Sequence, residues 1–380
     1  MAWGKAAICG VGASRQGKLP DETPITLAAE ALRNALEDSG IKKSEIDGLL
    51  TLPGTSSPEA AKNYLTLGER FGINPRYTGS LVMGGATAGA CVEAAAMAVQ
   101  NGMANVVACI FADTAATGGA KFGGAAGGED TWAVWGMLGN AANSALGFRR
   151  HMALYGTRSD QLGWIAVTCR KHALMNPNAV MKKPMTLEDH QNSRMIVDPL
   201  HMFDCCLISD GAVCILVTSP ERAKDCRKKP VSILGMGQGH TTENLREPEW
   251  WYLPHQARCI TDAYKMAGVG PGDIDVAQFY DNFTVAVLFW LEHAGFCKKG
   301  EAGTYVEGGN RIALGGDGVP INTAGGNLSE SYMQGWLHVV EGVRQIRGEC
   351  GPRQVKDAET CLVTGRGMTL NTACAMILGN

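Results

Sequence analysis

One stretch of this chain occurs twice, and that repetition constrains its fold more than any other feature. Ser39-Gly40-Ile41 followed by Glu45-Ile46-Asp47 is echoed by Ala267-Gly268-Val269 followed by Asp273-Ile274-Asp275. Gly40 to Gly268 and Asp47 to Asp275 are the same separation, so the match carries no gap. At that same separation Ala29, Leu32 and Ala35 meet Ala257, Ile260 and Ala263. These residues, with Leu36, read as one face of a helix from about Thr26 to Asp38, stopped by Gly40. The strand before it, Ala6 to Gly12, is echoed after a small shift by Val231 to Gly237, and Ile46 to Leu50 reads as the next strand. Two copies of a strand–helix–strand unit imply a duplicated α/β fold, with halves at residues 1–230 and 231–380.

Size and charge exclude several function classes. A chain of 380 residues buries a large core without difficulty. A net charge of −3 with both signs interspersed gives no ground for a nucleic-acid or membrane-surface partner, so an anionic ligand must meet local Lys and Arg. No apolar run approaches the roughly 18 residues of a membrane span, and the apolar run at the N-terminus is too short for a signal peptide. The thirteen cysteines form no CxxC pair and no His/Cys cluster at metal spacing; Cys205-Cys206 are adjacent. They read as small buried hydrophobes of a cytoplasmic protein.

Between the repeated units, residues 114–198 read differently. Gly118-Gly119, Gly123-Gly124 and Gly127-Gly128 precede Trp132, Trp135 and Met137. This is either a flexible surface loop or a mobile cover over a bulky apolar ligand. Gly10-x-Gly12 and Gly235-x-Gly237 do not complete a dinucleotide fingerprint and read as strand-end turns.

Four further segments carry a resemblance: Asp210-Gly211-Ala212, Tyr280-Asp281-Asn282-Phe283, Asn322-Thr323-Ala324-Gly325-Gly326 and Gly365-Arg366-Gly367-Met368-Thr369. Their order along the whole chain resembles the thiolase superfamily, closest to the sterol-carrier-type thiolases and their lipid-transfer-protein relatives. The resemblance implies a five-layer αβαβα fold. Thiolases hold a nucleophilic cysteine at the N-terminus of a buried helix, where unpaired amides and the helix dipole favour a thiolate. Here that helix is the run Ala86 to Val99, and the nucleophile position falls on Gly85. Cys91, further along the helix, reads as a packed core thiol.

Both histidine positions of the family fall on tyrosines, Tyr280 and Tyr332, and a cysteine position near the C-terminal glycines falls within Thr364 to Gly367. The departures cluster at catalytic positions while the scaffold segments remain. The double tyrosine resembles the steroid side-chain aldolases of the lipid-transfer-protein group. The resemblance therefore implies a carbon–carbon lyase of lipid and steroid degradation that cleaves a β-hydroxyacyl-CoA to a ketone and a shorter acyl-CoA. Tyr332 is expected to take the hydroxyl proton and Tyr280 to act on the enolate side, with Gly85, Gly367 and Asp281 at the oxyanion and substrate. An unperturbed phenol titrates near 10, so it needs a donor, a cation or a water chain to act as a base at neutral pH.

The loop Gly239 to Arg258 is the counterpart of the family's CoA-contacting segment. Arg246, His255 and Arg258 are expected at phosphates and Trp250 and Trp251 at adenine or pantetheine, with Gly325 and Gly326 also against CoA. Coenzyme A enters as part of the substrate, and no permanently bound cofactor is implied. Relatives pair as homodimers and often act with a small OB-fold, zinc-ribbon protein, so a heteromer is implied. Two other readings stay open: a thiolase or acyltransferase using Cys91 or another thiol, and a non-catalytic acyl-CoA- or lipid-binding protein.

Overall fold

The computed structural model describes residues 4–57, 60–119, 139–241, 249–367 and 371–380, the side chain of Trp250 excepted. Its strands are β1 (Ala7–Ala13), β2 (Gly48–Pro53), β3 (Tyr77–Ser80), β4 (Val106–Thr114), β5 (Met195–Val197), β6 (Leu200–His201), β7 (Asp210–Thr218), β8 (Val231–His240), β9 (Val276–Gln278), β10 (Thr360–Gly367) and β11 (Thr372–Gly379). Nine of them form one ladder in the order β3-β2-β4-β7-β1-β8-β11-β10-β9, and β5 and β6 pair separately. Within residues 7–218 the five main strands lie third, second, fourth, fifth, first in chain order. From β8 onward the same order returns in mirror image, with Ile321 bridging to Ala277 in the third place. The two sets join at β1 and β8 through only two residue pairs, Ala7 with Ser232 and Ile8 with Val231.

Three apolar clusters define five layers. Helix Pro24–Ser39 covers the outer face of the first sheet with Leu27, Ala28, Ala31, Leu32 and Ala35. Helices Pro254–Ala267 and Thr284–His293 cover the outer face of the second. Between the sheets lie helices Thr87–Gln100 and Trp336–Arg347, which share one core with strands of both halves. The fold is the αβαβα arrangement of thiolases.

The two copies obey the same local rules. Gly40 and Gly268 stop their helices in left-handed conformation, φ 74° and 73°, and their amides bond Leu36 and Tyr264. The buried face of the first helix differs from expectation at one residue. Ala29 is exposed, because the stripe runs through Ala28, Ala31, Leu32 and Ala35 and Ala29 stands one residue, about 100°, away from it.

Gly12 and Gly237 lie inside strands, a correction to the turn reading. A Cβ on Gly12 would enter the backbone of helix residues Ala31 and Ala35, and one on Gly237 would enter the backbone of Cys259 and crowd that of Ala263. The glycines let each helix lie directly on its strand.

Residues 139–198 also depart from the loop reading. They contain helices Asn140–Tyr155, Ser159–Leu174 and Leu187–Gln191, and Leu162, Ile165 and Cys169 of the second helix are fully buried. That helix packs on Thr284–His293 and on the turn of helix Gly326–Ser329. Trp132, Trp135 and Met137 lie outside the described residues. Among the described residues no helix is long and apolar enough to cross a membrane.

The close helix–strand approach sets a stability test. Gly237→Ala should cost about 1–3 kcal/mol in denaturant unfolding. Gly272→Ala, where nothing lies within 4 Å of the new Cβ, should stay within about 0.5 kcal/mol.

Candidate active site

The inner ends of β9 and β10 meet the N-terminus of helix Thr87–Gln100, and the site is built where they converge. Chain leaving β9 is held by Asn322, whose Oδ1 accepts from the Phe279 amide (2.7 Å) and whose Nδ2 donates to the Phe279 carbonyl (2.9 Å). Asn322 mimics a strand neighbour, at a positive φ of 45°. The next residue, Tyr280, donates its amide to Thr364 Oγ1 (3.1 Å) and accepts from Trp290 Nε1 (3.2 Å) at its carbonyl. Its side chain, 2% exposed, is thereby fixed toward the central helices.

Glycines shape the slot that receives this ring. A Cβ on Gly85 would fall inside the Tyr280 phenol, and a Cβ on Gly335 would come 2.9 Å from its Cδ2. Gly365 and Gly367 of β10 bring their backbone against the same turn: a Cβ on either would lie 2.6 Å from the Gly85 carbonyl or amide respectively. A side chain at position 85 and a tyrosine at position 280 therefore exclude one another.

The second phenol comes from the loop after helix Gly326–Ser329. Ser331 donates to Gln16 Oε1 (2.9 Å) and the Tyr332 amide to Ser209 Oγ (3.3 Å), fixing the loop beside the Asp210 segment. Tyr280 Oη and Tyr332 Oη are 3.1 Å apart and hydrogen bonded. Burial raises the pKa of both. For Tyr332 the neighbouring Tyr280 adds to that, whereas the hydrogen bond from Tyr332 partly offsets it for Tyr280. Neither phenol is a standing phenolate at neutral pH; the pair can pass protons along the bond it shares.

Asp281 is fully buried and points into the scaffold. It accepts from the amides of Asn327 (2.8 Å) and Leu328 (3.3 Å) and pairs with His338 Nε2 (3.0 Å). Gly325 and Gly326, at φ 109° and 61°, form the tight turn packed on Ala173 and Asp281. The structure thus brings Tyr280, Tyr332, Gly85 and Gly367 together, with Asp281, Gly325 and Gly326 behind them as support.

The expected CoA contacts divide. Arg258 is exposed, its guanidinium on the His240 carbonyl (3.2 Å). Trp251 and His255, 5% and 3% exposed, are in the core instead of on a ligand surface. Trp251 packs edge-on to Phe289 (6.2 Å), and His255 lies against Gly239. Both follow from the turn Trp250–Tyr252, which carries the chain down onto helix Thr284–His293. Arg246 lies outside the described residues, as does the side chain of Trp250.

Cys91 is fully buried and its thiol is pushed well above the usual range by that burial, so no thiolate is available there. Sequence reasoning missed two groups beside the Tyr280 ring, Arg366 and His338, and one buried carboxyl on the turn before Tyr332, Glu330, which meets Asn176. The signal for Arg366 was its place in the Gly365-Arg366-Gly367 motif, the one charged residue of strand Thr360–Gly367. His338 and Glu330 left none, because their burial depends on distant elements.

The chain is 38% identical over 395 residues to the steroid side-chain-cleaving aldolase of Thermomonospora curvata, covering 99% of this chain and 98% of the relative. It is also 38% identical over 398 residues to the 17-hydroxy-3-oxo-4-pregnene-20-carboxyl-CoA lyase of Mycobacterium tuberculosis, covering 100% of both. Residues 237–380 match the family model of the thiolase C-terminal domain-like type. A solved structure described as an Ltp2–ChsH2(DUF35) aldolase superposes with a TM-score of 0.89 at 38% identity, over 99% of this chain and 98% of that one.

Two tests follow from this geometry. Gly85→Ala should destabilise the protein by about 1–3 kcal/mol, and much less in a Tyr280→Ala background, so a double-mutant cycle should show coupling of about 1 kcal/mol or more. The second concerns Glu330, whose carboxyl is pushed up to about 8 by burial and then by the Glu341 carboxylate. The unfolded chain releases this proton near the ordinary carboxyl value of 4.5, while the native state keeps it to about 8. Stability is therefore lost as pH rises through that window. Urea unfolding should show Glu330→Gln gaining on wild type from pH 5 to 8, with no pH-dependent gain below about 4.5.

Proposed function

The chain belongs to the thiolase superfamily, among the steroid side-chain-cleaving aldolases, and we propose that its two phenols act as one proton relay in the cleavage. The protein is a carbon–carbon lyase acting on a CoA thioester. Its substrate is a β-hydroxyacyl-CoA with a sterol-like tertiary hydroxyl, and its products are a ketone and a shorter acyl-CoA. The observation that carries the relay is the 3.1 Å bond between Tyr280 and Tyr332 in a slot that position 85 must leave empty.

The reaction moves one proton from the β-hydroxyl to the α-carbon. Tyr332 accepts the hydroxyl proton as its own passes toward Tyr280, and Tyr280 releases its proton to the α-carbon in the same shift, so neither neutral phenol ever holds two protons. The O–H electrons form the ketone, the Cα–Cβ bond breaks, and its electrons become the thioester enolate. The Tyr280 proton quenches that enolate as it forms, leading the shift, and the Tyr332 proton refills Tyr280. Each phenol ends as it began, so raised phenol pKa values do not obstruct the cycle. The backbone amides of Gly84 and Gly85, ahead of helix Thr87–Gln100, are suited to the enolate oxygen, the Ala86 amide being taken by the Met83 carbonyl. Asp281 acts through the scaffold it holds.

Arg258 at the chain's surface is suited to a CoA phosphate, and Arg246, twelve residues earlier in the sequence, is a second such group. The enzyme works as a homodimer, extending the half-exposed edge strand β3. It also works with a small OB-fold, zinc-ribbon partner, a reading supported by the DUF35 protein named with the similar aldolase. Thirteen cysteines without a disulfide suit the cytoplasm.

Product analysis tests this reading. With any co-purifying partner retained, wild type should release a ketone and a shorter acyl-CoA from a tertiary β-hydroxyacyl-CoA. Tyr280→Phe and Tyr332→Phe should each lose about 10²-fold or more, and Cys91→Ala should retain cleavage. Acyl exchange that disappears in Cys91→Ala would instead support a thiolase.

A further inference from the structure

Arg366 stands on β10 with 1% of its surface exposed, yet among the described residues it forms no ion pair. Its Nε donates to Asn282 Oδ1 at 3.1 Å, and its buried Nη2 has no hydrogen-bond partner among the described residues. A desolvated guanidinium with an open donor and no carboxylate is costly, and it is physically reasonable where negative charge forms transiently. Burial pulls its pKa down to about 10, and the neighbouring Tyr280 acts in the opposite sense.

The strand fixes where that charge sits. Thr364 and Arg366 are two residues apart on β10 and share a face. Thr364 takes the Tyr280 amide and Arg366 takes the Asn282 side chain, so two adjacent rungs hold the segment 280–282 along the strand. The other titratable groups around the Tyr280 ring are Tyr332, Cys206, Asp281 and His338, from separate segments of the chain. Cys206 and Asp281 disfavour a phenolate; Arg366 favours one.

We propose that Arg366 is a positioning residue whose charge stabilises the Tyr280 phenolate at the moment its proton leaves for the α-carbon. The proposal rests on the relay described above and deepens it. It explains how a phenol buried among groups that oppose its ionisation can still give up a proton. The next proton arrives from Tyr332, which restores the neutral phenol and leaves Arg366 without an anion until the next turnover.

The test uses 3-fluorotyrosine incorporated at Tyr280, whose more acidic phenol brings the titration into a reachable range. Fluorine resonance of the substrate-free protein, with any co-purifying partner present, would be followed against pH in wild type, Arg366→Lys and Arg366→Met. The midpoint should rise by about one unit or more in Arg366→Met and return part of the way in Arg366→Lys. In unlabelled enzyme, kcat should fall about ten-fold or more in Arg366→Met while KM changes less than about three-fold. Identical midpoints in all three proteins would overturn the proposal, as would a loss confined to KM, which would make Arg366 a substrate anchor. Should Arg366→Met not fold, Asn282→Ala releases the guanidinium from its rung, and an unchanged midpoint there would overturn the proposal equally. A shifted midpoint in a protein that cleaves no β-hydroxyacyl-CoA would uphold the charge pair and remove the lyase reading.

Discussion

The site depends on one steric exclusion: the Tyr280 phenol occupies the space that any side chain at position 85 would need. Four glycines, Gly85, Gly335, Gly365 and Gly367, keep that space open or bring backbone up to it. The surrounding elements hold the ring in place. Asn322 clamps the chain before it, Thr364 takes its amide, and Trp290 takes its carbonyl. A scaffold able to present a nucleophile at a helix N-terminus instead presents a phenol there. The second phenol is brought in by a loop tied to Gln16 and Ser209.

Electrostatics then select the chemistry. Burial raises both phenols, so a mechanism that needs a resting phenolate would work against the site. A proton passed along the shared hydrogen bond needs no resting charge. The cation buried on the strand beside Tyr280, Arg366, belongs to the brief interval when charge exists. Cys91 is excluded from this chemistry by burial that favours its neutral thiol.

Much of this was legible in the sequence because it is local. Gly40 and Gly268 stop their helices as the repeated pattern requires, and Gly85, Tyr280 and Tyr332 come together as the resemblance implied. What escaped depends on which way a residue faces once distant elements pack. Gly12 and Gly237 looked like turn glycines and are contact glycines, since the helix lying on each strand is invisible to local reading. Trp251 and His255 sit in a segment associated with ligand contact, yet they fill the core beneath it. Arg366 was visible only as part of a glycine-rich motif, and its isolation from carboxylates emerges only in three dimensions.

The central claim is that cleavage occurs between two phenols with no acyl-enzyme. Intact-protein mass measurement after acid quench, taken during turnover of a tertiary β-hydroxyacyl-CoA, tests it most directly. The account predicts an unmodified chain at every time point while ketone accumulates. A chain heavier by the acyl group, with the added mass on any of the thirteen cysteines, would contradict it.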